Sequence, residues 1–132
     1  MGGPLSADRH APADLDVCYL TTRGRVTGRA HEIEIWFALR GETLFVLSGD
    51  GDRSDWVKNL RRDPHVTVRL GDEIRETTAR VIADPDEDAL ARRLLVDKYQ
   101  PRDPDDLTEW GRTSLPIAID WRATEDSRSE PD

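Results

Sequence analysis

The stretch HEIEIWFALRGETLFVLS, residues 31–48, decides the fold of this chain. Its first half alternates isoleucine and phenylalanine with glutamate, which predicts a half-buried strand over residues 31–39. Residues 40–42, Arg-Gly-Glu, supply a tight turn, and the apolar run that follows predicts a strand buried on both faces over residues 43–48. We therefore expect these two strands to form an antiparallel hairpin.

The rest of the chain adds four strands and two helices to this hairpin. Alternating or β-branched segments predict strands at residues 17–22, 66–70, 73–83 and 115–121. Helical apolar spacing predicts helices at residues 54–62 and from residue 84 to Pro101, with Ser54 and Asp84 as N-caps. Short antiparallel strands of this number predict a mainly β fold with inserted helices (α+β) that closes into a small barrel.

Length and composition predict one domain over residues 15–122, with flexible ends at residues 1–14 and 123–132. No apolar stretch approaches the roughly 18 residues that span a bilayer, and residues 1–14 lack the apolar core of a secretory signal. The single cysteine, Cys18, excludes an internal disulfide and a cysteine-based zinc site. These features predict a cytoplasmic protein.

The charge of the chain is unevenly distributed. With 19 Lys+Arg against 27 Asp+Glu the formal net charge is -8, which argues against nucleic acid or an anionic membrane as partner. Much of the negative charge lies in residues 101–132, whereas residues 21–30 carry three arginines and no acid. This acid-free segment is the first candidate binding site.

The candidate loop reads TTRGRVTGR, residues 21–29. Its two glycines let the backbone turn and approach a ligand, and its backbone N–H groups, the Thr27 hydroxyl and three guanidinium groups together suit a phosphate or carboxylate. The alternative is a hairpin turn whose arginines pair with the acidic surface. The pattern alone leaves both interpretations open, because it matches no known nucleotide-binding fingerprint.

A second candidate loop, SGDGD at residues 48–52, leads into the first predicted helix, which carries Trp56 and Asn59. Its N–H groups suit an anion or a ring carbonyl. Each residue also has a structural alternative: Trp56 as a core side chain and Asn59 as a solvent-facing helix residue. The alternating aspartates lack the downstream glutamate of a calcium loop, and the three histidines are not spaced for a metal, so we predict no metal site.

No side chain stands out as a catalytic acid, base or nucleophile. A Ser48–His65–aspartate triad can be drawn, but no nucleophile elbow surrounds the serine. Cys18 lies in a predicted strand and is expected to be buried and inert. A chain with an anion loop, a glycine-rich turn and four tryptophans fits a protein that holds a large anionic cofactor and leaves the chemistry to it.

Four motifs carry a resemblance to a known family: LTTRGRVTG at residues 20–28, DWVKNL at 55–60, WGR at 110–112 and LPIA at 115–118. They occur in the same order in the deazaflavin (F420)-dependent nitroreductase family. That family is a branch of the flavin/deazaflavin oxidoreductase superfamily, with the antiparallel split β-barrel of pyridoxamine-phosphate-oxidase-like proteins. The likeness covers about residues 17–122.

The resemblance implies an oxidoreductase that transfers a hydride from reduced coenzyme F420 to a small conjugated acceptor, such as a quinone, an enone or a nitro compound. Ser48 is then the candidate catalytic residue, by hydrogen bonding to the acceptor or the ring. The resemblance implies that Arg25, Thr27 and Gly28 bind the phosphate and that Ser48, Gly51, Trp56 and Asn59 line the ring and tail. From the residues themselves we add Arg23 and Arg29, which can reach the phosphate from neighbouring positions, and Gly49 of the second loop to the cofactor-binding set.

Three positions depart from the family pattern: Val26 and His31 stand where further basic residues are usual, and Asp50 stands where glycine follows a basic or bulky residue. They leave open FMN or FAD as the cofactor, and a non-catalytic barrel that binds a flavin-like, haem-like or lipid ligand. Barrels of this fold commonly pair, so a homodimer through an exposed surface near Trp110 and Trp121 also stays open.

Overall fold

The computed structural model describes residues 12–122, in which seven strands and three helices follow a short 3-10 turn at Pro12–Asp14. The elements are β1 (Cys18–Arg23), β2 (Ala30–Ile35), β3 (Ala38–Arg40), β4 (Thr43–Ser48), α1 (Asp55–Arg62), β5 (His65–Leu70), β6 (Glu73–Val81), α2 (Pro85–Tyr99), α3 (Thr108–Thr113) and β7 (Leu115–Asp120).

All seven strands belong to one antiparallel sheet in the order β2-β1-β5-β6-β7-β4-β3. The nine-residue β6 joins its two halves, because Glu73–Thr78 pair with β5 and Ala79–Val81 pair with β7. The edge strands β2 and β3 are consecutive in the chain, separated only by Trp36 and Phe37. The sheet must therefore curl until its two edges meet at this link, which is the predicted split β-barrel.

The prediction of one continuous strand over residues 31–39 is wrong. Its first part, β2, pairs with β1, and its last part, β3, pairs with β4. The break falls at Phe37, whose N–H donates to Tyr99 Oη at 3.1 Å and whose carbonyl accepts from Lys98 Nζ at 3.0 Å. Because α2 takes these backbone groups, the chain changes sheet halves there. The hairpin of β3 and β4 forms as expected.

Strand β4 lies between two apolar clusters, as its continuous apolar run predicts. Leu44 and Val46 face the barrel interior, whereas Phe45 and Leu47 face the cluster under α2. From α2 that second cluster receives the buried residues Ala91, Leu95 and Tyr99. Helix α2 therefore covers one face of the sheet half formed by β7, β4 and β3.

The cap of α2 was predictable, but α3 was not. Asp84 accepts the Glu87 N–H at 2.9 Å, as its capping-box spacing predicts, while the Glu87 carboxylate pairs with Arg80 at 2.7 Å. Helix α3 has no sequence signal of comparable strength.

The predicted ends at residues 1–14 and 123–132 lie largely outside the described residues. Within those residues no helix is long and apolar enough to cross a membrane.

Candidate functional site

Helix α1 brings the two candidate loops together. The first loop, residues 24–29, connects β1 to β2 and contacts the side of α1 through Arg25. The second, residues 49–54, connects β4 to the start of α1. The two glycine-containing segments that the sequence singled out thus lie against one helix.

Asn59 of α1 forms the junction with the first loop. Its side-chain oxygen accepts from the Arg25 backbone N–H at 3.2 Å and from Arg25 Nη1 at 2.9 Å. Its Nδ2 donates to Thr22 Oγ1 at 3.1 Å. Asn59 and Thr22 are only 2% and 1% exposed, so the solvent-facing interpretation of Asn59 is wrong. A buried amide with both ends satisfied fixes the position of the loop on the helix.

The three arginines of the loop differ in how firmly they are held. Arg25 is bound to Asn59 and lies 3.5 Å from Asp55 Oδ1. Arg23 donates to the Gly28 carbonyl at 3.4 Å and lies 3.9 Å from Asp63. Within residues 12–122 the Arg29 guanidinium has no acidic or hydrogen-bonding partner. Arg23 and Arg29 are therefore the cations with most freedom to reach a ligand.

The backbone of the loop is a closed turn that leaves donors free. The Gly24 N–H donates to the Arg29 carbonyl at 2.7 Å, and the Gly28 N–H donates to the Gly24 carbonyl at 2.9 Å. Gly28 has φ +78°, which a side chain would strain. Thr27 Oγ1 accepts the Arg29 N–H at 3.2 Å. Within the described chain, the N–H groups of Val26 and Thr27 meet no protein acceptor.

Ser48 lies at the start of the second loop and is 2% exposed. Its hydroxyl donates to the Gly51 carbonyl at 3.0 Å, so Ser54, whose oxygen is 2.9 Å away, must donate to Ser48. Ser54 occupies the predicted N-cap position, but its side chain makes no cap hydrogen bond to the helix. The two serines fold the loop, with Gly51 at φ +61°.

Trp56 and Gly49 mark the outer parts of this region. Trp56 is half-buried and packs against the barrel core, in agreement with its structural alternative. Gly49 is exposed and faces α3, since a Cβ at this position would lie 3.7 Å from the indole of Trp110. The second loop thus connects the α1 region with Trp110.

Trp110 and Trp36 line a cavity of about 360 Å³ together with Val17, Glu34, Ile35 and Leu47. One face of Trp36 is stacked on Tyr99, with ring centroids 4.3 Å apart and planes 5° from parallel. The Trp110 ring meets Trp36 edge-on at 5.4 Å and 82°. The two indoles therefore form a right-angled apolar corner, suited to a flat ring.

Helix α3, which carries Trp110, is fixed by two contacts with α2. Arg92 Nη1 donates to the carbonyls of Gly111 and Arg112, both at 2.9 Å. Gly111 lies so close to Val96 that a Cβ would overlap the valine Cγ2. Sequence reasoning missed this arrangement, because only the glycine in WGR hints at it.

Trp121, expected to be exposed, is buried under Arg75, whose guanidinium carbon lies 4.2 Å from its ring centroid.

A further group of ionisable side chains adjoins the first loop at Arg23, which lies 3.9 Å from Asp63. A larger groove of about 620 Å³ runs along β1, β5 and β6 and contains His65, whose Nδ1 is 2.9 Å from Asp63. That hydrogen bond lowers the pKa of Asp63. Burial raises the pKa of the Cys18 thiol to about 12, in keeping with the expected inertness. The described residues contain no His/Cys/Asp/Glu cluster that could hold a metal.

Solved structures share this fold at low sequence identity. A structure described as a domain-swapped dimer has a TM-score of 0.64 and 23% identity, covering 80% of this chain and 81% of its own. An F420-H2 dependent reductase (FDR-A) has a TM-score of 0.63 and 22% identity, covering 80% and 96%. A protein provisionally described as a pyridoxamine 5'-phosphate oxidase from Listeria innocua has a TM-score of 0.59 and 20% identity, covering 82% and 85%.

The fold is thus the split barrel of the pyridoxamine-phosphate-oxidase-like proteins, as predicted. Residues 8–121 match the family model described as F420H(2)-dependent quinone reductase. The chain belongs to this family of F420H2-dependent reductases, which confirms the family that the sequence motifs indicate.

Proposed function

We propose that this protein is an oxidoreductase that reduces a small conjugated acceptor with a hydride from reduced coenzyme F420. The observation that carries the proposal is the junction at α1, where Asn59 holds the cationic 24–29 loop against the same helix that follows the Ser48 loop. Membership of the F420H2-dependent reductases supports the choice of cofactor. Quinones, enones and nitro compounds are the proposed acceptors.

The residues of the first loop fit the phosphate of such a cofactor. The Arg29 guanidinium, the loosely held Arg23 and the N–H groups of Val26 and Thr27 are donors without firm protein acceptors in the described chain. Charge-assisted hydrogen bonds of this kind contribute about 1.5–3 kcal/mol each. Arg25 supplies further positive charge, although its side chain is already held by Asp55 and Asn59.

The second loop is proposed to face the cofactor ring. Gly49 and Gly51 leave the backbone uncovered by side chains, and Trp56 and Asn59 of α1 are proposed to line the ring and tail of the cofactor. Ser48 is proposed to act as a positioning residue, because its hydroxyl proton is committed to the Gly51 carbonyl. When bound, the reduced coenzyme supplies the hydride, and a solvent proton completes the reduction of the acceptor.

The acceptor is proposed to enter the cavity between Trp36 and Trp110. The cavity borders the second loop, since Gly49 faces the Trp110 indole. Its right-angled indoles can stack on one ring and exclude water from its edge, which would align a flat acceptor for hydride transfer. The two indole rings favour conjugated, electron-poor rings as stacking partners.

The direct test is fluorescence titration of the purified protein with oxidised F420 and, separately, with FMN. We expect saturable tryptophan quenching by F420 and weaker quenching by FMN. Arg29→Ala and Arg25→Ala should each weaken F420 binding at least tenfold, about one charged hydrogen bond. Arg62→Ala, an exposed arginine at the other end of α1, is the matched control and should leave binding unchanged.

Unchanged affinity for F420 in both loop variants would indicate that the loop is a simple hairpin turn and not a cofactor-binding site. Stronger binding of FMN than of F420 would indicate that the cofactor is a flavin. We propose a cytoplasmic location for the protein, in keeping with its single cysteine. The domain-swapped dimer among the similar structures makes a homodimer the assembly to test by size-exclusion chromatography.

A second candidate function is a non-catalytic barrel that binds a flavin-like, haem-like or lipid ligand. The pairing of Arg25 with Asp55 favours it, because this acid partly neutralises the cationic loop. The exposed Val26, with 86% of its surface accessible, occupies the loop tip where a further cation is expected. Tight F420 binding without turnover of any quinone, enone or nitro compound would support this candidate.

A further inference from the structure

We propose that Glu34 makes the cavity between Trp36 and Trp110 selective for uncharged or cationic acceptors and against anionic ones. This inference rests on the proposed function, in which that cavity holds the acceptor. Glu34 is the one charged residue among the six that line the cavity; the others are Val17, Ile35, Trp36, Leu47 and Trp110.

The walls of the cavity select for shape. Tyr99 covers one face of Trp36, so that the tryptophan is held in place and presents its remaining surface to the cavity. Trp110 stands at 82° to it and is fixed in turn by the packing of Gly111 on Val96. A flat ring can lie against one indole and end at the other, but these walls supply no positive charge.

The Glu34 carboxylate is not neutralised by the protein. Within residues 12–122 no cation lies within 4.0 Å of it, and its one hydrogen-bond partner is the Tyr19 hydroxyl at 3.5 Å. The nearby cations are engaged elsewhere. Arg69 lies over the Tyr19 ring and 3.8 Å from Glu32, while Lys98 lies over Phe37. An anionic acceptor in the cavity would therefore meet an uncompensated negative charge.

The size of the effect follows from Coulomb's law. The Glu34 carboxylate and an anionic acceptor would lie several ångströms apart in a partly solvated cavity. Their repulsion is enough to change the affinity for the acceptor by roughly three- to tenfold. Salt screens such a repulsion, because the Debye length falls from about 30 Å at 0.01 M to about 3 Å at 1 M. Selectivity should therefore be strongest in dilute buffer.

The test uses the full chain without cofactor and measures quenching of tryptophan fluorescence by two ligands. One is an uncharged hydroxymethyl anthraquinone, and the other is the anthraquinone sulfonate that differs from it by one negative charge. We expect Glu34→Gln to tighten binding of the sulfonate by roughly three- to tenfold and to leave the neutral quinone within about twofold. Raising the salt concentration should produce the same relative gain in the unsubstituted protein.

Asp72→Asn is the matched control, because Asp72 is an exposed acid in the turn between β5 and β6, makes no ion pair within residues 12–122 and lies outside the cavity lining. It should leave the ratio of the two dissociation constants unchanged. An equal effect of both substitutions would overturn the inference, since it would reflect net charge alone. Absence of quenching by either quinone would also overturn it. The F420 titration reports on the proposed function separately, because it does not involve this cavity.

Discussion

Arg25 Nη1 lies 2.9 Å from the side-chain oxygen of Asn59, 34 residues further along the chain. This hydrogen bond joins the most cationic loop of an acidic protein to the helix beside its second glycine-containing loop. The residues that the sequence proposed as two separate sites therefore form one region. The position of the loop depends on the buried amide of Asn59.

Asn59→Ala should lower the free energy of unfolding by about 2–3 kcal/mol. The substitution leaves the Arg25 N–H groups and the buried Thr22 hydroxyl without their partner. Urea denaturation measures the change. Lys58→Ala, at the exposed neighbouring position on α1, should stay within about 0.5 kcal/mol. Equal, small effects of the two substitutions would contradict the role assigned to Asn59.

Ser48→Ala and Ser54→Ala should have coupled effects, because the two hydroxyls share one hydrogen-bond chain to Gly51. We expect each substitution to lower stability by about 1 kcal/mol and the double variant to lose less than their sum. If Ser48 only positions the loop, both single variants should weaken F420 binding to the same extent. A much larger loss in Ser48→Ala would indicate direct contact with the ligand.

Gly111→Ala should destabilise the protein by about 1–3 kcal/mol, because the added Cβ overlaps Val96 Cγ2. The same substitution should be less damaging in a Val96→Ala background, which removes the overlapping methyl. Gly49→Ala serves as the comparison, since its Cβ would have ordinary contact distances of 3.7 Å. Thermal unfolding of the four variants measures the effect, and additivity of the Gly111 and Val96 changes would contradict the overlap.

Cys18 should make stability fall as the pH rises above about 9. Burial raises the pKa of its thiol to about 12 in the folded state, whereas the unfolded thiol ionises near 9.0. Its stabilising contribution is therefore complete below pH 9 and is lost between pH 9 and 12. From about pH 8 to about pH 10, the wild-type chain should lose about 1.4 kcal/mol relative to Cys18→Ala. Parallel pH profiles in urea denaturation would contradict this assignment.

Most of the fold could be predicted from local signals. Alternation, β-branched composition and, for β4, a continuous apolar run predicted β1, β4, β5, β6 and β7 to within a few residues, and Asp84 caps α2 as its spacing indicates. The break between β2 and β3 could not be predicted, because the apolar alternation continues through Phe37. Its cause is the hydrogen bonding of Phe37 to Tyr99, 62 residues away. Such a contact leaves no trace in a short window of sequence.

The candidate site was only partly predictable for the same reason. The glycines and arginines of the first loop made it a candidate anion site, but they did not predict that Asn59 and Asp55 hold Arg25. Trp36 and Trp110 are 74 positions apart by their numbers, and only the packing of α3 on α2 brings their rings together. The cavity they form depends on tertiary contacts that no motif encodes.

The central claim is that this chain catalyses hydride transfer from reduced F420 to a conjugated acceptor. The most direct measurement is anaerobic stopped-flow absorbance of reduced F420 mixed with the protein and a neutral naphthoquinone. We predict protein-dependent oxidation of one F420 per quinone reduced, slowed at least tenfold by Arg29→Ala and unaffected by Arg62→Ala. Saturable binding of F420 with no oxidation above the protein-free rate, for this quinone and for enone and nitro acceptors, would contradict the claim.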